Sequence, residues 1–199
     1  MCSNPGRMLQ EPFNTAKRND GKFYYAVTRG DYRTVQSELR RGDVDLELMI
    51  GGKSFLRHAG ERGYKEIAAM LIEAGMDPNE VAGRREHSLL HHASLTYNFG
   101  FASLLLEKKA VPSPRSSNRT TPLHLAARTG QQYLAKRLID FHEEVNAQDT
   151  RGRTPLFLAM KSGHAKLAKM LIASNGNPRI ANREGVTALQ VAEELGLDV

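Results

Sequence analysis

The chain has 199 residues, of which 40% are hydrophobic and 25% charged, with a formal net charge of +6. That is enough apolar material for one ordinary domain or a short repeat array, and it excludes a disordered polyelectrolyte. The single cysteine, Cys2, excludes an internal disulfide. No Cys/His spacing matches a structural zinc site, so a reducing compartment is expected.

The first twenty residues hold two prolines and no apolar run long enough for a signal-peptide core. No later segment approaches the roughly 18 apolar residues of a membrane span. The expectation is an intracellular protein of cytoplasm or nucleus, with delivery into a host cell by a dedicated secretion machine left open. Residues 1–18 read as a flexible tail and 19–199 as the folded domain.

From there the chain repeats itself. Ala26 with Gly30 opens a series that continues through Ser54-Phe55-Leu56-Arg57-His58-Ala59 with Gly63 and Ser88-Leu89-Leu90-His91-His92-Ala93. It goes on through Thr121-Pro122-Leu123-His124-Leu125-Ala126 with Gly130, Thr154-Pro155-Leu156-Phe157-Leu158-Ala159 with Gly163, and Thr187-Ala188-Leu189-Gln190-Val191-Ala192 with Gly196. The landmark alanines fall 33 or 34 residues apart. A period of that length is the mark of a stacked array.

Each period spells two helices. Thr121 and Thr154 are good N-caps, and Pro122 and Pro155 sit in the first turn, where a missing N–H costs nothing. Gly130 and Gly163 end the short first helix. A second helix follows, with apolar residues three and four apart: Ile67, Met70 and Leu71; Leu104 and Leu105; Leu134, Leu138 and Ile139; Leu167, Met170 and Leu171. One such pair cannot bury its own apolar face, so neighbours must stack into an elongated core. The last unit stops after its first helix, where Glu193 and Glu194 suit a solvent-facing cap, and with few residues after Gly196 no further C-terminal domain is expected.

These residues resemble the ankyrin family, whose repeat is a β-turn plus two antiparallel helices opening on T-P-L-H-x-A. The resemblance covers about residues 19–198. It is strongest at Thr121 and Thr154 and weakest in the first repeat, where Gly21-Lys22-Phe23-Tyr24 replaces the signature. It implies an all-α ankyrin-repeat solenoid of about five repeats plus a C-terminal capping half-repeat, with hairpin tips between the pairs.

Several fragments look like chemistry. Gly51-Gly52-Lys53-Ser54 matches the end of a phosphate-binding loop, but Glu47 stands where its first glycine belongs, and in the repeat frame Gly52 is a hairpin residue. His142-Glu143-Glu144-Val145-Asn146 begins like a zinc-protease helix, but Asn146 replaces the second ligand, and the segment is an inter-repeat loop. The resemblance gives His91 and His124 a structural role, hydrogen bonding to loops, and leaves His92 as an extra. No nucleophile elbow or dinucleotide loop occurs. The reading is therefore of no enzyme, no cofactor, no metal and no catalytic residue.

Two connections depart from the pattern. The one from Gly75 to Ser88 is a residue longer and carries Arg84-Arg85-Glu86-His87 at a tip expected to project farther. The stretch Val111-Pro112-Ser113-Pro114-Arg115-Ser116-Ser117-Asn118 reads as an exposed Pro/Ser-rich loop. Its Ser113-Pro114 pair is either a phosphorylation site or, the favoured reading, an irregular turn.

In the ankyrin family partners usually meet the concave surface of hairpin tips and first helices. Carried through the repeat frame, that surface takes in Arg29, Lys53, Arg62, Arg84, Arg85, His87, Arg119, Arg128, Arg151, Arg153, Lys161 and Arg183. The opposing acids are Glu61, Glu86 and Glu184, which leaves a positive excess larger than the +6 of the whole chain. The expected function is a monomeric scaffold, adaptor or inhibitor that binds an acidic protein surface or segment. The alternative is nucleic-acid or anionic-surface binding by the same face, disfavoured because aromatic stacking residues are not interleaved with the cations. A host-directed effector of other activity is a further alternative.

Overall fold

The computed structural model describes residues 18–197. Cys2 and, Arg18 apart, the expected tail lie outside them. Among the described residues the helices are α1 (Arg18–Arg29), α2 (Tyr32–Arg41), α3 (Phe55–Glu61), α4 (Lys65–Glu73), α5 (Leu89–Leu95), α6 (Phe99–Glu107), α7 (Pro122–Thr129), α8 (Gln132–Asp140), α9 (Pro155–Lys161), α10 (Ala165–Ala173) and α11 (Ala188–Glu194). Two short strands, β1 (Val81–Ala82) and β2 (His87–Ser88), pair antiparallel between α4 and α5. The expected five helix pairs and one unpaired final helix are therefore present. The fold is the all-α ankyrin-repeat class.

Local chemistry explains the helix starts. Thr154 has extended backbone (φ −90°, ψ 164°), its hydroxyl accepts the Phe157 N–H, and Pro155 follows at the first helical position. Ser54 and Ser88 cap α3 and α5 the same way, accepting from Arg57 N–H and His91 N–H. This satisfies one of the donors that each helix N-terminus would otherwise leave bare. Gly130 ends α7 in the left-handed conformation at φ 73°. A Cβ there would lie 2.8 Å from the His164 ring, which would have to shift, so the backbone conformation and the close ring both favour glycine.

The contacts divide the chain into two compact units, one up to Pro78 and one from Asn79 onward. In the first, α1 packs on α2 and α3, and α4 on α3 and α2. Phe23 and Phe55, both fully buried, meet edge to face with ring centroids 4.9 Å apart. Asp20, buried in α1, accepts the Asp45 N–H, and Lys22 pairs with the buried Glu38 at 2.6 Å. These contacts hold the first repeat together although it lacks the signature.

In the second unit the first helices α5, α7, α9 and α11 stack in one row, and the second helices α6, α8 and α10 in another. Leu105, Leu134, Leu138, Leu167 and Leu171 are buried between the rows. Met70 in the first unit and Ile139 and Met170 in the second are only half-buried, because they flank the apolar stripe rather than centre it.

Successive repeats of the second unit are also stitched on their loops. The Asn79 side-chain carbonyl accepts the Val111 N–H at 2.7 Å, and the Asn146 carbonyl accepts the Asn177 N–H at 2.8 Å. Between them the Ser113 hydroxyl accepts the Glu144 N–H at 2.8 Å. Ser113 does in its repeat what asparagine does in the others. The Pro/Ser-rich stretch is correspondingly more ordered than an exposed loop: Ser116 is buried, and its N–H and hydroxyl bond to the backbone of Thr120.

Candidate functional site

The hairpin tips of the second unit carry most of the sequence-derived candidates. Each tip hydrogen-bonds to the next through one backbone contact: Ser117 N–H to the Arg85 carbonyl, Thr150 N–H to the Asn118 carbonyl, and Arg183 N–H to the Arg151 carbonyl, at 2.9–3.0 Å. At the last of these Gly152 has φ 73°, and a Cβ on it would lie 2.9 Å from the Arg183 nitrogen, so only glycine permits the approach. The cations Arg85, Arg151 and Arg183 are thus carried on backbone held at spaced intervals.

Histidines fix the tips from below. His91 and His124 are fully buried, and each accepts a backbone N–H at Nδ1, from Ser88 at 3.3 Å and Thr121 at 3.2 Å. The proton therefore sits on Nε2, which donates to the carbonyl of Thr120 at 2.7 Å or Arg153 at 2.9 Å, one repeat further on. Burial pushes both imidazoles down to about 4, so they stay neutral and structural. His87 stacks on His91, centroids 5.2 Å apart.

Between these tips lies a polar cavity of about 450 Å³, lined by Arg85, His87, Leu95, Asn118, Thr120, Leu125, Arg128, Asp149, Thr150, Arg151 and Arg153. Arg128 reaches it from the last turn of α7, Arg85 from the β1–β2 turn and Arg151 from the turn before α9. Asp149 is the one acid in the wall, and it was not among the acids read from the sequence. Its carboxylate takes the Arg153 Nε and Nη2 at 2.8 and 2.6 Å, and the Arg151 and Arg153 N–H at 2.8 and 3.0 Å. Burial pushes this carboxyl up, but those bonds outweigh it and hold it below the usual range.

Arg153 is therefore committed within its own loop. Among the described residues the guanidinium groups of Arg85, Arg128 and Arg151 have no carboxylate partner. Arg84, Arg119, Lys161 and Arg183 are exposed and lie outside the cavity wall, Arg119 at a left-handed φ of 56°. In the first unit Lys53 pairs with Glu61 at 2.7 Å, Arg29 lies over the Tyr25 ring at 5.8 Å, and Arg62 is exposed at the end of α3.

The fragments that resemble catalytic motifs have other employment. Gly51 and Gly52 are the left-handed residues of a tight turn bridged by Ile50 and Lys53, and Ser54 is the α3 cap. Glu143 lies in the loop after α8, buried in the position that Ala110 and Gly176 occupy in neighbouring repeats, and accepts the Leu123 N–H at 3.2 Å. Burial pushes its carboxyl up to about 8 despite hydrogen bonds from Thr121 and Leu123. Sequence reading missed this feature; its signal is a glutamate where the period puts a small residue. Among the described residues no group of three His, Cys, Asp or Glu could hold a metal ion, and no helix is long and apolar enough to cross a membrane.

A family profile described as ankyrin repeats (3 copies) matches residues 56–149 and 123–199. Among curated proteins the chain is 33% identical over 116 residues to ankyrin repeat and SOCS box protein 16 of Mus musculus, covering 54% of this chain and 25% of that protein. It is 33% identical over 101 residues to a putative ankyrin repeat-containing protein of Treponema pallidum (strain Nichols), covering 51% of this chain and 34% of that one. It is 26% identical over 97 residues to the E3 ubiquitin-protein ligase KEG of Arabidopsis thaliana, covering 49% and 6%. The chain spans about a third or less of these relatives' lengths. Ankyrin repeats are general protein–protein interaction modules and typically non-enzymatic. With the paired helices, the hairpin tips and the buried signature histidines in place, this chain belongs to the ankyrin-repeat family.

Proposed function

We propose that the protein is a non-enzymatic interaction module that docks an acidic segment of a partner protein on the hairpin face of residues 79–199. The observation that carries this reading is the cavity in which Arg85, Arg128 and Arg151 converge while only Asp149, already bonded to Arg153, opposes them. Arginine binds carboxylates bidentately, and a cluster of one sign steers an acidic partner into encounter. Arg84, Arg119, Lys161 and Arg183 extend the positive surface beyond the cavity.

Nucleic-acid binding draws less support. The exposed aromatics Tyr97, Phe99 and Tyr133 line a different cavity of the same unit, with Gln131 and Gln132, and the one aromatic ring in the basic cavity's wall, His87, is already stacked on His91. The test is a peptide-display selection against the full chain. Selected peptides should carry net negative charge, lose binding to the variant Arg85→Glu/Arg128→Glu/Arg151→Glu, and keep it with Lys136→Glu/Lys166→Glu/Lys169→Glu on the second helices. Loss only with the second-helix variant would place the binding surface elsewhere, and this reading would be abandoned.

A further inference from the structure

We propose that the arginine cavity is a receptor for a phosphorylated side chain, a phosphoester dianion on a partner polypeptide held by Arg85, Arg128 and Arg151. The inference rests on the docking reading above and names the group that is docked. Its first support is charge. With Arg153 neutralised by Asp149, three arginines without a carboxylate partner among the described residues remain in the wall of one cavity. A carboxylate brings a single negative charge, whereas a phosphoester brings about −1.5 to −2 at neutral pH and three acceptor oxygens. Only the latter can satisfy several arginine forks at one point.

The second support is convergence. An extended acidic segment is matched by cations spread along a line, but Arg85 from the β1–β2 turn, Arg128 from the end of α7 and Arg151 from the turn before α9 line one cavity. Its volume of about 450 Å³ falls inside the range of roughly 300–1,000 Å³ typical of small-ligand sites. Asn118, Thr120 and Thr150 share the wall, and among the described residues their side chains make no hydrogen bond. They add amide and hydroxyl donors to the wall.

The third support is rigidity. The Arg151 loop is pinned by Asp149, by the Arg183 N–H donated to the Arg151 carbonyl and by the Thr150 N–H donated to the Asn118 carbonyl. His91 and His124 clamp the carbonyls of Thr120 and Arg153 from beneath. Presenting these arginines from backbone that is already held in place lowers the ordering cost of binding.

The probe is N-acetyl-O-phosphoserine methylamide, titrated into the full chain while arginine Nε–Hε resonances are followed by NMR. N-acetylglutamate methylamide, hexaglutamate and a thymidine hexanucleotide are run at equal ionic strength. The expected result is saturable shifts of Arg85, Arg128 and Arg151 with the phosphoserine probe, at an affinity at least about tenfold above the glutamate probe. Arg128→Gln should remove the preference, while Lys166→Gln keeps it. Because Arg128 is exposed at a helix end, its variant should fold, and an unchanged amide spectrum would verify that. Equal affinity for the phosphoserine and glutamate probes, with hexaglutamate bound, would overturn the phosphoester assignment and leave acidic docking standing. Failure of phosphoserine, glutamate and hexaglutamate alike to shift these arginines would sink both. Hexanucleotide binding that survives Arg128→Gln, with no phosphoserine preference, would overturn the phosphoester site in favour of nucleic acid.

Discussion

At the scale of single residues, the buried titratable groups of the second unit pull stability in opposite directions with pH. His124 is held neutral in the fold at about 4 but takes a proton near 6.5 when unfolded. The unfolded chain therefore binds more protons between those values. Its contribution is complete above pH 6.5 and is lost as pH falls toward 4, and His91 acts alike. Glu143 does the reverse: its carboxyl is raised from 4.5 to about 8, mainly by burial with Glu144 adding to it. Its contribution is complete below pH 4.5 and is lost as pH rises through 8. Glu143→Gln should therefore stabilise the protein at pH 8.5 by about 1–3 kcal/mol relative to its effect at pH 5, measured by urea unfolding at both. His124→Gln is informative because Gln190 already fills the same frame position in α11, where its carbonyl accepts the Thr187 N–H at 2.8 Å. The variant should keep the cap, lose the bond to Arg153, cost about 1 kcal/mol at pH 7 and flatten the acid limb of the stability profile.

At the scale of elements, the second helices show how little of each helix does the packing. Leu138 in α8 and Leu171 in α10 are completely buried, whereas Lys136 and Lys166 on the same helices are exposed. Leu138→Ala or Leu171→Ala should lower stability by about 2–5 kcal/mol in denaturant titration, and Arg151→Ala by less than about 0.5. Effects of the leucine changes as small as the arginine change would refute the assignment of the inner helix face. The loops between helices matter by a different mechanism. Asn79, Ser113 and Asn146 each accept a backbone N–H from the following repeat, so these side chains set register rather than bury area.

At the scale of the molecule, an array stabilised by neighbours tolerates the loss of a whole period better than the loss of a fraction. Deleting residues 121–153 removes α7 and α8 with one tip and leaves α5 and α6 beside α9 and α10, chemically similar partners. That protein should remain helical by circular dichroism with a lower unfolding midpoint. Deleting residues 131–147 removes α8 alone and strands the apolar face of α7, and should cost most of the cooperative transition. Equal tolerance of the two deletions would contradict stacking as the source of stability.

The repeat, its helix pairs and their caps were legible from the residues alone, because each rests on local chemistry recurring at a fixed spacing, while the structural role of His91 and His124 came with the family resemblance. The period also assigns the cations to equivalent tip and helix positions without coordinates. What the period cannot say is which side chains at equivalent positions meet. Arg151 and Arg153 flank one glycine and read alike in sequence. Only the folded loop, by turning Asp149 back onto Arg153, commits one guanidinium and leaves the other without a carboxylate partner, in a cavity wall that Arg85 and Arg128 share. Glu143 makes the same point from inside: its polar side chain reads as a loop residue, but the packing of one repeat on the next encloses it and raises its carboxyl. Burial and pairing across repeats depend on distance in space, which is a property of the tertiary structure and not of any local segment.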